Sequence, residues 1–112
     1  MNFFSTAVWL HRMDAFEGTS IKAIGLRLEL TRTVFRMGQA EFCTRAKIAT
    51  NTYNQYERGK KRPAIENAIA LCEVYDLTLD WIYRGDPSGL RYNIADAIKL
   101  EKLRIQQARN RK

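Results

Sequence analysis

Apolar residues recur every three or four positions over most of the chain, and the alternation typical of strands is nearly absent, so the sequence reads as a succession of helices. Ser20 is a good N-cap for a first firm helix reaching about Arg36. Ile21, Ile24, Leu28 and the Val34/Phe35 pair form its expected buried stripe, with Arg27, Arg32 and Arg36 turned outward. Gly38 ends that region. A short helix from Gln39 to about Ala46 follows, with Phe42, Cys43 and Ala46 inward, and Lys47-Ile48-Ala49 breaks it. A third helix covers about Thr50–Arg58 and stops at Gly59, a residue suited to helix ends.

Pro63 disfavours helix at the residue before it, so Lys60-Lys61-Arg62-Pro63 is a basic loop. A fourth helix over about Ile65–Tyr75 is expected to bury Ile65, Ile69 and Cys72 together with Ala68 and Leu71. Thr78 can N-cap a fifth through Arg84, and Asp80 suits the positive end of its dipole. Leu79, Trp81 and Ile82 are its core candidates, and Gly85-Asp86-Pro87 closes the domain. One more helix is expected from about Asn93 to Ala108. Ahead of the first helix, Met1–Gly18 reads as an extension in which a short helix would align Phe4 and Val8 with Phe3 and Ala7; Met13 is an alternative start.

A chain of 112 residues has room for one domain plus short extensions. The expected division is an N-terminal extension over 1–19, a helical domain over 20–86 and a basic C-terminal helix and tail over 87–112. Charge points to a polyanionic partner: nineteen Lys and Arg against twelve Asp and Glu give +7. Residues 1–20 have one basic and two acidic groups, 21–85 eleven against seven, and 86–112 seven against three. The basicity therefore lies in the helical part and the tail. Cys43 and Cys72 both fall in apolar helical patterns and read as buried free thiols, which suits a reducing cytoplasm. No apolar run approaches the roughly 18–20 residues of a membrane span, and the expected location is the cytoplasm.

Two short helices separated by three or four residues, the second followed by a basic loop, match a helix-turn-helix unit. From Ile24-Gly25 to Asp86 the chain resembles the phage repressor/Cro-type helix-turn-helix domain. The resemblance rests on Gln39-Ala40-Glu41-Phe42 opening the second helix and Tyr53-Asn54-Gln55-Tyr56-Glu57-Arg58-Gly59 closing the third. Lys60-Lys61-Arg62-Pro63 and Leu77-Thr78-Leu79-Asp80-Trp81-Ile82 with Gly85 complete it. It implies an all-α fold: a five-helix lambda-repressor-like DNA-binding domain, to which this chain adds a C-terminal helix and a short N-terminal extension. It also implies a transcriptional regulator, with repression by blocking polymerase as the simplest mechanism.

In such a unit the second helix enters the major groove with its N-terminal residues facing base edges. That face offers Thr50, Asn51 and Gln55, with Asn54 nearby. Asn and Gln amides suit the N6/N7 edge of adenine, and Thr can meet a thymine methyl. Asn51 and Gln55 are four apart and share a helix face. Phosphate contacts, which position without reading sequence, are expected from Gln39, Lys47, Arg58, Lys60, Lys61 and Arg62. Solvation is the ordinary fate of a polar face or a charge run; the setting beside a recognition helix favours contact here. Tyr53 and Tyr56 read as core, and Glu57 as the partner of a nearby Arg. The family usually places a small residue where Cys43 lies, a mild departure because Cys is small, and two further departures matter locally. Lys47 stands where the turn often carries Gly, and Ala49 where a polar cap is common, so that Thr50 could serve as the cap.

An enzyme is disfavoured. The single His11 has no plausibly paired nucleophile, two Cys and one His give no zinc-site spacing, and no Gly-rich phosphate loop is present. No cofactor and no small-molecule domain are expected. The stronger alternative is an antitoxin or adaptor whose C-terminal helix binds a protein partner. On that helix Ile94, Ile98 and Ile105 share one face, while Leu100 and Leu103 lie nearly opposite. Packing within the protein or a homodimer is the default, and a dimer would read a palindromic operator.

Overall fold

The first helix of the structure begins where the sequence supplies a cap. In this computed structural model, which describes residues 15–110, the Ser20 side chain accepts a hydrogen bond from the Ala23 N–H at 3.0 Å and opens α1 (Ile21–Val34). The helix ends two residues short of the expected Arg36, because Arg36 takes a left-handed conformation with φ 57°. α2 (Gln39–Ala46), α3 (Thr50–Glu57) and α4 (Ile65–Tyr75) follow. A π-helical turn, Asp80–Arg84, stands where the fifth helix was expected, its entry capped by Thr78 Oγ1 accepting from the Trp81 N–H. The last helix, α5, runs over Tyr92–Asn110. No strand occurs among the described residues. The short helix expected around Phe4 and Val8 lies outside them, as does His11.

One apolar core gathers all these elements. Ile24, Leu28 and Leu30 of α1 meet Phe42 and Cys43 of α2, Tyr53 and Tyr56 of α3, Leu71 and Tyr75 of α4, and Trp81 and Ile82 of the π-turn. Leu90, Ile94 and Ile98 join the same cluster. The first half of α5 is therefore packed within its own chain, while Leu100 and Leu103 on its far side stay exposed. Aromatic rings form the centre: Phe42 stacks on Tyr75 at 4.2 Å between centroids, and Tyr53 tilts against Phe42 at 5.4 Å. Tyr75 also donates to the Phe42 carbonyl at 2.7 Å, so its polar end is satisfied as well as its ring.

Three expectations about burial are corrected. Arg27, expected to face solvent, is 0% exposed. Its guanidinium donates to the carbonyls of Phe16, Gly18, Trp81 and Ile82 at 2.6–3.0 Å, tying the segment before α1 to the π-turn. Carbonyl oxygens replace the water that a buried cation loses, which makes the burial tolerable. Ile65 and Ile69, expected in the core, are 47% and 42% exposed. Ala68, Leu71 and Tyr75 supply the buried edge of α4 instead, and Cys72 is only half-buried. Leu79 is also exposed, because it precedes the turn whose Trp81 and Ile82 point inward. Both cysteines are free thiols, with Cys43 buried; burial raises the pKa of each, which keeps them protonated.

Candidate nucleic-acid interface

α2 and α3 are joined by three residues. Lys47 ends α2 in the left-handed region (φ 58°, ψ 43°), Ile48 is buried beneath the turn, and Ala49 leads into α3. The sequence places a lysine where the backbone demands the conformation that suits glycine. Ala49 is the N-cap of α3 and makes no side-chain cap, so Thr50 is the first helical residue and not the cap that the sequence suggested. The Lys47 side chain stays exposed at the mouth of the turn.

α3 presents two unlike faces. Tyr53 and Tyr56 are buried, as expected of core residues. The Tyr56 hydroxyl accepts from Asn67 Nδ2 at 2.9 Å and from the Ala64 N–H at 3.3 Å, anchoring α3 to the start of α4. Thr50 and Asn51 are exposed and Gln55 half-exposed on the outer side. Asn51 Oδ1 accepts from the Thr52 N–H at 2.9 Å, a bond within its own helix turn. Asn54 sits further round, where its Oδ1 accepts from Gln39 Nε2 at 3.1 Å.

That bond belongs to a polar clamp that sequence reasoning glimpsed only in part. Glu57, at the end of α3, has a side chain 4% exposed and takes both arms of Arg32 from α1, Nε at 2.7 Å and Nη2 at 3.0 Å. Gln39 Nε2 adds a third bond to the same carboxylate at 3.0 Å, and Arg32 Nη1 donates to the Met37 carbonyl. Arg32 is thus not turned outward as expected; it is the cation that Glu57 was expected to find. Burial pushes the Glu57 carboxyl up, but hydrogen bonds from Arg32, Tyr53 and Gln39 outweigh it and hold the pKa below the ordinary value. The clamp joins α1, α2 and α3, fixing α3 against its scaffold by charge-assisted bonds rather than by apolar packing alone. Gln39, expected to offer its amide to a phosphate, spends that amide inside the protein; the backbone end of α2 beside it, capped by exposed Gly38 with no side chain, remains open. An Arg–Glu pair twenty-five positions apart, with a Gln between, was the available signal.

Close approach of backbones fixes α3 as firmly. A Cβ on Gly25 would stand 2.4 Å from the Tyr56 carbonyl oxygen and 2.6 Å from that of Glu57, so α1 meets the end of α3 where no side chain fits. Beyond α3, Arg58, Lys60, Lys61 and Arg62 are all exposed. The loop is ordered from within: the Lys60 N–H reaches the Gln55 carbonyl at 2.9 Å, and Tyr83 Oη donates to the Pro63 carbonyl at 2.8 Å.

The exposed start of α3, the three-residue turn and the buried Arg–Glu clamp make α2 and α3 one fixed two-helix unit, and residues 37–82 match the helix-turn-helix family model. Residues 37–82 are a Cro/C1-type helix-turn-helix. No curated protein and no solved structure matches the chain. The helix-turn-helix supports a DNA-binding transcriptional regulator. Among the described residues no helix is long and apolar enough to cross a membrane, and no group of three or more His, Cys, Asp and Glu is placed to hold a metal ion.

Proposed function

We propose that the chain binds double-stranded DNA sequence-specifically and represses transcription, reading a palindromic operator as a homodimer. The observation that carries this reading is the outer side of α3. Thr50, Asn51 and Gln55 stand toward solvent on a helix whose other side is fastened by Tyr53, Tyr56 and Glu57. Side chains that read bases must be exposed on a rigid support, and this helix offers both. Asn51 and Gln55 take the bidentate role on base edges, and Thr50 the apolar contact. Asn54, with its oxygen held by Gln39, presents its remaining N–H groups at the margin of that face. Lys47, Arg58, Lys60, Lys61 and Arg62 hold phosphates on either side, and the backbone N–H groups at the start of α2 hold another beside Gln39. A single recognition helix reads only a few base pairs; two copies related by a two-fold axis would read half-sites about 34–36 Å apart.

Selection of bound duplexes from a random pool by the full-length protein tests this. Enrichment of a palindrome with half-sites one turn apart is the expected result. Asn51→Ala or Gln55→Ala should then lose about 1–3 kcal/mol at one base pair per half-site and leave the others read as before. Equal losses on every sequence would remove these residues from base reading. No enrichment at all would move the function toward a module that needs a protein partner.

A further inference from the structure

The basic surface beside the recognition helix continues past the loop. Arg62 Nη1 donates to the Thr19 carbonyl at 3.0 Å, which lays the loop against the start of α1. Gly59, just before the loop, has φ 70° and lies so near α1 that a Cβ there would be 3.1 Å from the Lys22 Cα. Lys22 is exposed. It lines, with Arg109 near the end of α5, a groove of about 360 Å³ whose apolar wall includes Leu26, Leu30 and Ile105, and which Glu29 also borders. Arg109 is exposed as well. Cations therefore follow one another from Arg62 in the loop across Lys22 to Arg109. This arc joins two regions distant in sequence, and it starts at the loop that flanks α3.

Resting on the reading above, we propose that Lys22 and Arg109 bind backbone phosphates of the duplex that flanks the base-read half-site. Duplex DNA carries a charge every ~1.7 Å along its axis, so a cation arc continuous with the phosphate-binding loop meets further phosphates as the duplex runs on. Long flexible stems let an ammonium and a guanidinium reach them without fixed geometry. Neither group reads a base; each releases counterions and steepens the salt dependence.

The test uses the full chain and two duplexes carrying the same selected site, one with long flanks and one trimmed to the base pairs it specifies. Binding is measured from low to moderate salt. The wild type should show a slope steeper by about 1.8 on the long duplex than on the trimmed one, about 0.9 for each phosphate contact. Lys22→Gln with Arg109→Gln should abolish that difference and weaken binding to the long duplex about thirtyfold near 0.15 M salt, the slope change carried down from 1 M. Lys22→Arg should retain it. Lys99→Gln, which removes an exposed α5 charge from outside the arc, should leave it unchanged. Equal slopes on both duplexes for the wild type would overturn the proposal, and so would an equal loss in Lys99→Gln, which would mean net charge rather than contact. Sequence preference is read separately through Asn51 and Gln55, so base reading can fail while the flank contacts stand, or the reverse.

Discussion

Gly25 allows the stability of the recognition helix to be tested at one atom. In an open helix Gly25→Ala would gain about 1 kcal/mol from the better helix propensity of alanine. Here the added methyl would lie 2.4 Å from the Tyr56 carbonyl oxygen and 2.6 Å from that of Glu57, where even close C–H···O contacts begin near about 3.3 Å. The neighbour is backbone, so no side chain can swing aside; α1 and the end of α3 must part by about 1 Å. Overpacking of this kind costs about 1–3 kcal/mol, and parting the helices also loosens Tyr53, Tyr56 and the Arg32–Glu57 pair. The net expectation is a loss of about 1–2 kcal/mol, a fall in melting temperature of about 5–15 °C for a domain of this size. DNA affinity should fall beyond what the unfolded fraction explains, because the displaced element is α3. Urea and thermal denaturation followed by circular dichroism measure the first, and operator titration at a temperature where both proteins are folded measures the second. Gly38→Ala is the companion: nothing lies within 4 Å of a Cβ there, so it should lose only the modest difference between Gly and Ala as N-caps. A Gly25→Ala protein that melts at or above the wild-type temperature would refute the steric reasoning.

Other consequences can be measured in the same way. Lys47→Gly should stabilise the fold by about 0.5–1 kcal/mol, since relief of left-handed strain exceeds the entropy glycine adds to the unfolded chain; if Lys47 holds a phosphate, the salt slope of binding becomes shallower by about 0.9. Arg27→Met should cost about 3–5 kcal/mol in urea unfolding, because the carbonyls of Phe16, Gly18, Trp81 and Ile82 lose their buried donor; a loss under about 1 kcal/mol would show that water takes over those oxygens. The native Glu57 carboxyl is held below its ordinary value of 4.5, so the folded state prefers it ionised. Its contribution is present above that value and is lost as pH falls below it toward the native pKa. The stability gap between wild type and Glu57→Gln should therefore narrow on acidification through that window, and a constant gap from about pH 7 to about pH 3 would contradict the clamp.

Elements bounded by strong local signals were legible in the sequence. Gln39–Ala46 and Ile65–Tyr75 fall where periodicity and flanking breakers put them, and the Ser20 and Thr78 caps act as their chemistry predicts. Faces were less legible. α4 is apolar round most of its girth, with Ile65, Ala68, Ile69, Ala70, Leu71, Cys72, Val74 and Tyr75 in eleven residues, so periodicity alone selects no buried side. Arg27 was misread for the opposite reason: a lone cation in an amphipathic pattern faces water by default, and only the folded chain brings four carbonyls around it. The site divides likewise. Thr50, Asn51 and the basic side chains Lys60, Lys61 and Arg62 are exposed, and Gln55 half-exposed, where local spacing places them, whereas the Gln39–Asn54 and Gln39–Glu57 bonds depend on how two helices cross.

The Arg27 hub and its neighbours bear on how this reader could be borrowed. Arg27, Thr31 and Arg32 lie upstream of residues 37–82, which carry the family signature. Yet Arg27 holds the Trp81 and Ile82 carbonyls, Thr31 Oγ1 accepts from Trp81 Nε1 at 3.0 Å, and Arg32 neutralises Glu57. A fragment excised at the signature's borders would carry a buried tryptophan without its wall and a buried carboxylate without its counter-ion. If α3 reads bases as proposed, exchanging operator preference between such proteins is a matter of swapping the few side chains at its start, since grafting residues 37–82 alone would leave the Arg27, Thr31 and Arg32 supports in the donor.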